Sequence, residues 1–460
     1  MVMEQLFYKL DQFTHTMLVF SLFFLAIVLL IAAARPIIKH LQRVEASGLK
    51  AASWDNARGI VFGADRLGRV IYSPSDREGH VFCLGGSGSG KTSCLLIPTL
   101  QKFAGNYFAI DISGDIAANV HRKNSLVFEP CSADTIPYDV FALIDGMEDI
   151  QDKHEQLEKL AFLIMPNVPG ASDASLFFTN EGRKILTASL IAFYFSGMDF
   201  SDICRKIISS SYTELFREID AQGNEDASLY IKSFRGTNAE NTGGCKQSVD
   251  AAVKLFALNR NIRRCVHRPH GKEIAFTPKT LEKSCIIFRL DETLLDVYAP
   301  LLSIVVSQAL TYFASRPIGA TPPILFALDE FCSLGKMDII GALQKLRKRG
   351  IRIFDITQSL ADLDRIYGEI KRKAMLNNFL YKAILGAGDT DTQEYFAKMI
   401  GHKQEKSYSK TTGHGSASIT ERQEKSWAIE PDELGRLRKD LVLLHPAGYD
   451  KLRKTPYFKH

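Results

Sequence analysis

Two hydrophobic rhythms divide this chain. Between residues 17 and 34 apolar and small side chains run without a single charge, from Met17-Leu18-Val19-Phe20 to Ile31-Ala32-Ala33-Ala34. At ~1.5 Å of rise per residue this stretch makes ~27 Å of helix, close to the hydrocarbon thickness of a bilayer, and predicts one membrane-spanning helix. A cleaved leader fits less well, because Glu4 and Asp11 offset Lys9 ahead of the run and the run is long for a leader's apolar region. Arg35, Lys39, Arg43 and Lys50 follow the span and only Lys9 precedes it, which orients the C-terminal body toward the cytoplasm.

Beyond the span the pattern changes to short apolar runs separated by helical periodicity. Runs at 60–62, 70–72, 81–84, 107–110, 125–128, 285–288, 323–328, 351–356 and 380–385 read as strands. The first two are expected to deliver the chain to the third. Later strands alternate with helices, such as 92–103, the basic 337–349 and 391–400, so the fold class is α/β with a parallel sheet and its chemistry at the C-terminal strand ends. Between 149 and 269 the rhythm is helical: Leu186, Leu190 and Phe193 recur at i, i+4, i+7, as do Val249, Val253 and Phe256. The expected organisation is a membrane anchor and linker (1–50), an α/β domain in two parts (51–148 and 270–460) and an inserted all-α domain (149–269). The Ser-, Thr- and Gly-rich 403–425 is expected to be a surface loop. Residues 441–444 and 457–458 are candidates for closing strands.

The strand at 81–84 runs into Gly85-Gly86-Ser87-Gly88-Ser89-Gly90-Lys91-Thr92-Ser93 and then into an apolar helix. Strand, G-x4-G-K-T, helix is the phosphate-loop pattern in its required context. Glycines let backbone N–H groups curl around phosphate oxygens, and a helix N-terminus adds positive potential. Lys91 is expected to reach the β- and γ-phosphates of ATP and Thr92 to hold Mg²⁺. The strand at 323–328 ends in Asp329-Glu330. Asp329 is expected on Mg²⁺, directly or through water, and Glu330 is placed to orient or deprotonate an attacking water. Lys91 and Asp329 are much further apart in sequence than two or three βα units require, which again implies an insertion. Gln358, at the end of strand 351–356, is expected to sense the γ-phosphate, or else to cap the following helix.

Composition changes this picture little. The net charge is +5, so a nucleic-acid partner has to be read from local patches. Two exist: Arg260, Arg263, Arg264, Arg268 and Lys272, and Lys345, Arg347, Lys348, Arg349 and Arg352. Each fits either a phosphate track or a solvated or subunit-facing surface. The eight cysteines form no C-x-x-C pair, as in a reduced cytosolic body.

Taken together, these motifs resemble the coupling proteins of bacterial type IV secretion, the membrane-anchored ATPases of conjugative DNA transfer. The resemblance covers most of residues 55–460. It rests on His80-Val81 leading into the glycine loop, on Leu328-Asp329-Glu330-Phe331-x2-Leu334-Gly335-Lys336, and on Gly350-Ile351-Arg352 followed by Gln358-Ser359-Leu360-x2-Leu363. It implies a RecA-type nucleotide-binding domain with an inserted all-α domain, ATP and Mg²⁺ as ligands, and a homo-hexameric ring at the bacterial inner membrane. The implied partners are single- or double-stranded DNA with its relaxase, or protein effectors, and the channel proteins of the secretion system. A second reading is a docking receptor for protein effectors that does not pump DNA. Ring assembly implies an arginine supplied by a neighbour, which the resemblance places at Arg347, with Arg349 as the alternative. The sequence departs from the family pattern in showing one span instead of two, in lacking a lysine in Asp111-Ile112-Ser113-Gly114-Asp115, and in ending soon after the core.

Overall fold

Buried, largely apolar runs form the centre of the molecule. In the computed structural model, residues 46–460 are described except 169, 335–338 and 414–415, together with 17, 21, 23–25, 30, 38 and 42. Most of the 17–34 run lies outside the described residues; Met17, Phe23, Phe24, Leu25 and Leu30 within it are helical and exposed. Among the described residues one helix is long and apolar enough to cross a membrane, Glu292–Ala314. Leu301, Leu302, Ile304, Val305, Val306 and Ala309 on it are wholly buried, so its apolar middle is packed in the core of the fold.

Seven parallel strands make the core: β4 (His80–Gly85), β5 (Asn106–Asp111), β6 (Ser125–Phe128), β7 (Cys285–Arg289), β8 (Ile324–Leu328), β9 (Ile351–Thr357) and β10 (Phe379–Gly386). Their order is β10-β4-β9-β8-β5-β7-β6. Successive side chains serve two separate cores. Phe82, Leu84, Phe108, Ile110, Phe326 and Leu328 enter one, and Val81, Cys83, Tyr107, Ala109, Leu325 and Ala327 enter the other. This period of two, apolar on both faces, is what a parallel sheet covered on both sides demands.

The sheet continues past β10 with antiparallel strands. β13 (Asp440–His445) pairs with β10 and β14 (Gly448–Arg453) with β13, and β14 then meets β2 (Gly59–Ala64), which pairs with β3 (Val70–Pro74), itself paired with β1 (Lys50–Ala52). The runs at 60–62 and 70–72 are therefore strands, but they sit toward the far edge of the sheet, with β14, β13 and β10 between them and β4. The second closing strand is β14, whereas Tyr457–Lys459 is a short 3-10 turn. β14 escapes a search for apolar runs because it is buried on one face only. The 403–425 stretch also differs from expectation. β11 (His402–Gly413) and β12 (Ser416–Trp427) pair residue for residue along their whole length, with the His402 and Trp427 rings stacked 4.2 Å apart at the base. A ladder is built from backbone groups, so a ribbon with polar side chains carries no apolar alternation to betray it.

Helices occupy the stretch between β6 and β7, the longest being Asp173–Phe195 and Ala239–Leu258. Ser172 and Asn238 cap them by accepting backbone N–H groups. The two helices approach closely at Gly182, where a Cβ would lie 2.9 Å from the Cys245 carbonyl oxygen. Leu186, Leu190, Phe193, Val249, Val253 and Phe256, the periodic positions of the sequence, all face one apolar core that is continuous with the sheet through Tyr138 and Phe276.

Candidate active site

The order of strands assembles the site. β4 lies between β10 and β9, and β9 lies beside β8, so the C-terminal ends of β4, β9 and β8 stand side by side. Those ends are Gly85, Thr357-Gln358 and Asp329-Glu330. The glycine loop therefore meets the acidic pair and the strand-end amide although they are remote in sequence.

Gly85 to Gly90 turn tightly. Gly88 and Gly90 have φ of +70° and +93°, and the second is the N-cap of a helix that begins at Lys91 and runs as Lys91–Leu96 and Ile97–Lys102. The left-handed conformation at both positions is one that glycine adopts at no steric cost. A Cβ on Gly90 would also come within 2.9 Å of Cys94 Sγ, and one on Gly85 within 2.4 Å of Ser89 Oγ. The Ser89 hydroxyl is buried without a partner. Ser87 is exposed, and Thr92 and Ser93 lie half-buried at the helix start. Lys91 is buried, and its Nζ donates to the carbonyl oxygens of Gly85 (2.7 Å) and Gly86 (3.1 Å).

Burial, and then the neighbouring Glu330 carboxylate, push the Asp329 carboxyl up to about 6, while Lys91 and the Glu330 N–H, which donates to Asp329 Oδ1 at 3.1 Å, pull it the other way. Among the described residues the Lys91 ammonium is the charge that offsets this carboxyl. Glu330 has φ of +49°, alone in that region among the described non-glycine residues. This uncommon backbone turns its side chain toward Gln358, whose Nε2 donates to Glu330 Oε1 at 2.8 Å. The structure thus brings Glu330 and Gln358 into direct contact, and couples Lys91 electrostatically to Asp329.

Arg347 is elsewhere. It is exposed in the turn Arg347–Arg349 that enters β9 from its N-terminal end, and its Nε lies 3.2 Å from Glu78 Oε2, just ahead of β4. The six residues of β4 separate that edge from the glycine loop by ~17 Å. Arg349 is tied down: its guanidinium donates to the Arg316 carbonyl, and Arg316 is held by Glu282 at 2.7 Å.

The two basic patches are also smaller than the sequence suggests. Arg352 is wholly buried; its Nε and Nη1 donate to the Gly79 and Pro74 carbonyls at 2.8 Å, and burial lowers its pKa to about 10. Arg268 pairs with Asp145 (3.1 Å) and Asp199 (3.6 Å) and lies over the Phe141 and Tyr194 rings. Both residues support the fold.

Two supporting residues were not foreseen. His80 Nδ1 accepts from the Ile353 N–H at 3.0 Å and Nε2 donates to the Leu343 carbonyl at 2.8 Å, locking β4 to β9; burial lowers its pKa to about 4, so the ring is neutral. Asp355 on β9 is wholly buried with neither carboxyl oxygen partnered, and burial raises its pKa well above the ordinary value. An acid inside the strand 351–356 was the only visible signal. Asp111 accepts from the N–H groups of Ile116 (3.3 Å) and Ala117 (2.8 Å), which gives the unassigned turn after β5 a structural use.

The family model described as type IV secretory system conjugative DNA transfer matches residues 31–460. The chain belongs to that family. Among curated members, the type IV secretion system-coupling protein VirD4 of Bartonella quintana is 20% identical over 83% of this chain and 63% of its own length. The conjugal transfer protein TraG of Agrobacterium fabrum is 23% identical over 84% of this chain and 61% of its own. The chain thus spans a little over three-fifths of the length of these two relatives. The solved plasmid coupling protein TrwB in complex with ADP and Mg²⁺ superposes with a TM-score of 0.64 at 19% identity, covering 82% of this chain and 85% of that one. The fold of this family member is therefore the α/β fold of TrwB, built on a large parallel sheet.

Proposed function

We propose that this chain is a membrane-anchored ATPase that couples ATP hydrolysis to the recruitment and translocation of DNA, or of a DNA–protein complex, into a type IV secretion channel. The observation that carries the reading is the contact between Gln358 and Glu330 beside Asp329 and the glycine loop. In this reading that arrangement would bring phosphate binding, metal binding and water activation to one strand edge, as hydrolysis requires. TrwB, a structural relative, is described with ADP and Mg²⁺.

In this reading the N–H groups of 86–93 and the Lys91 ammonium hold the phosphates, with Lys91 exchanging its loop carbonyls for phosphate oxygens. The donor set fits Mg²⁺: a hydroxyl at Thr92, and at Asp329 a buried carboxyl whose charge is disfavoured by burial and by Glu330. When bound, Mg²⁺ would neutralise charge developing on the β- and γ-phosphate oxygens. Glu330 accepts the proton of the attacking water, and Gln358 holds that carboxylate in place and reports on the γ-phosphate. Arg347, remote from its own site, acts on the nucleotide of a neighbouring copy in a six-membered ring. Residues 51–148 and 270–460 form the nucleotide-binding domain, 149–269 the helical domain, and 17–34 a single span that anchors the body at the inner membrane.

The test is ATP turnover of the full chain in detergent with and without single-stranded DNA at low salt. Stimulation supports the reading. Turnover that ignores DNA, together with binding of a protein cargo, refutes the DNA-pumping part.

A further inference from the structure

The two edges of the sheet have different neighbours. β6 and β7, which send the chain into the helical stretch and receive it back, lie at one edge, and β1 lies at the other. Just past β1 the turn Trp54–Asn56 carries a half-buried indole. The His460 ring stacks on it at 4.0 Å with an interplanar angle of 6°, and Lys102 Nζ lies 4.7 Å from its ring centroid. Phe458, in the turn Tyr457–Lys459, is 67% exposed and meets the Tyr457 ring edge-on at 5.4 Å. Burial and then Arg58 lower the Lys102 pKa while Asp55 raises it, so these three charges share the surface. One face thus presents an indole, an exposed phenyl ring and the cations Arg58, Lys102 and Lys459 around Asp55. Rings of this kind settle at the level of lipid headgroups, and cations beside them meet lipid phosphates.

The route of the chain brings this face to a bilayer. Ser47 follows Ala34, the end of the apolar run, within about four helical turns. Between them Arg35, Lys39 and Arg43 recur at every fourth position and Ile37, Leu41 and Val44 at i, i+4, i+7, the spacing of a basic amphipathic helix that lies along a membrane surface. Residues 38, 42 and 46 are helical. The end of this stretch is fastened to the body: the Tyr381 hydroxyl donates to the Ser47 carbonyl at 3.2 Å, and Leu49 is buried in the core that holds Phe62, Ile71 and Tyr381. The β1 edge is therefore held beside the segment that leaves the membrane.

We propose that the surface of Trp54 and Phe458 rests on the anionic lipids of the membrane that holds the chain, with Arg58, Lys102 and Lys459 on lipid phosphates and the two rings in the headgroup layer. This rests on the reading of 17–34 as a span. The contact fixes the attitude of the body, setting the β1 edge against the bilayer and the helical stretch across a twelve-stranded sheet from it, up to about 50 Å away.

Trp54 and Trp427 are the chain's two tryptophans, so Trp427→Phe leaves Trp54 as the reporter. The full chain is placed in nanodiscs of phosphatidylcholine with or without phosphatidylglycerol, doped with a phosphatidylcholine spin-labelled on its headgroup. Trp54 is expected to be quenched when phosphatidylglycerol is present, and less so as salt is raised. Each cation beside an anionic leaflet favours contact about fivefold, so Lys102→Gln with Lys459→Gln is expected to weaken it about 25-fold and abolish the quenching. Lys102→Arg with Lys459→Arg is expected to retain it. Thermal unfolding checks each variant, and Arg58→Gln with Lys459→Gln replaces the first pair should that pair fail to fold. Trp54 that stays unquenched in incorporated chains overturns the proposal, as does quenching that ignores both phosphatidylglycerol and the glutamine pair. Equal quenching of Trp427 in a Trp54→Phe chain would deny that this edge is the one that docks. A chain that does not enter the discs fails the span reading and takes the proposal with it. Shielding of Trp54 from iodide that appears only as copies assemble, whatever the lipid, would assign the surface to a second copy and overturn the proposal.

Discussion

Replacing Asp329 by asparagine separates what this residue costs the fold from what it contributes to the site. Its carboxyl is held at about 6 against an ordinary 3.8, mainly by burial. The folded state therefore binds the proton more tightly than the unfolded chain, and stability is lost as pH rises from about 4 through 6. Two pH units at ~1.4 kcal/mol each put the penalty at roughly 3 kcal/mol above pH 7, and at about half that at pH 5. Asparagine has the same shape, keeps an acceptor for the Glu330 N–H, and carries no charge. In the absence of nucleotide, Asp329→Asn is expected to stabilise the protein by up to about 3 kcal/mol at pH 8, or ~3 °C in a chain of this length. The gain should shrink as the pH is lowered to 5. Mg²⁺-dependent stabilisation by ADP should disappear in the same variant. Urea unfolding followed by far-ultraviolet circular dichroism at the two pH values measures the first effect, and thermal shift with MgADP the second. An asparagine variant no more stable than the parent at pH 8 would refute the burial argument, and one still stabilised by MgADP would remove Asp329 from the metal site.

Four further outcomes follow from contacts already described. Glu330→Gln is expected to bind MgATP normally and to lose at least about a hundredfold in turnover, as removal of a general base does; Gln358→Ala, which frees Glu330 Oε1, should lower turnover with a smaller change in affinity, and steady-state kinetics beside equilibrium binding distinguishes the two. Gly90→Ala forces a side chain into φ of +93° and toward Cys94 Sγ at 2.9 Å, and should weaken nucleotide binding at least about tenfold in a fluorescence titration. Arg352→Leu leaves the Gly79 and Pro74 carbonyls without their donor inside the fold and should cost about 3 kcal/mol in urea unfolding; stability equal to the parent would show that Arg352 is not the staple it resembles.

Much of the site was legible because its parts are contiguous in the chain. A strand, a glycine turn and Lys91-Thr92 follow one another, so side-chain type and spacing were enough to recognise a phosphate loop. Asp329 and Glu330 were legible as acids at the end of an apolar strand. Arg352 was misread because charge alone placed it with Lys345 and Lys348, whereas its position in β9 points it into the sheet's own core. The ribbon of β11 and β12 was misread as a loop because neither strand has an apolar face.

The sequence by itself determined the local elements of this protein, since alternation and spacing act over a few residues: parallel strands buried on both faces, a helical stretch between them, and the glycine loop. Only the tertiary structure decided which strands are neighbours. Period-two burial says that a strand has two covered faces and says nothing of what lies beside it, because pairing is chosen by backbone bonds between distant segments and by the crossovers that connect them. Setting β9 between β4 and β8 is what puts Gln358 against Glu330 at the glycine loop, and it leaves Arg347 at the opposite end of that strand.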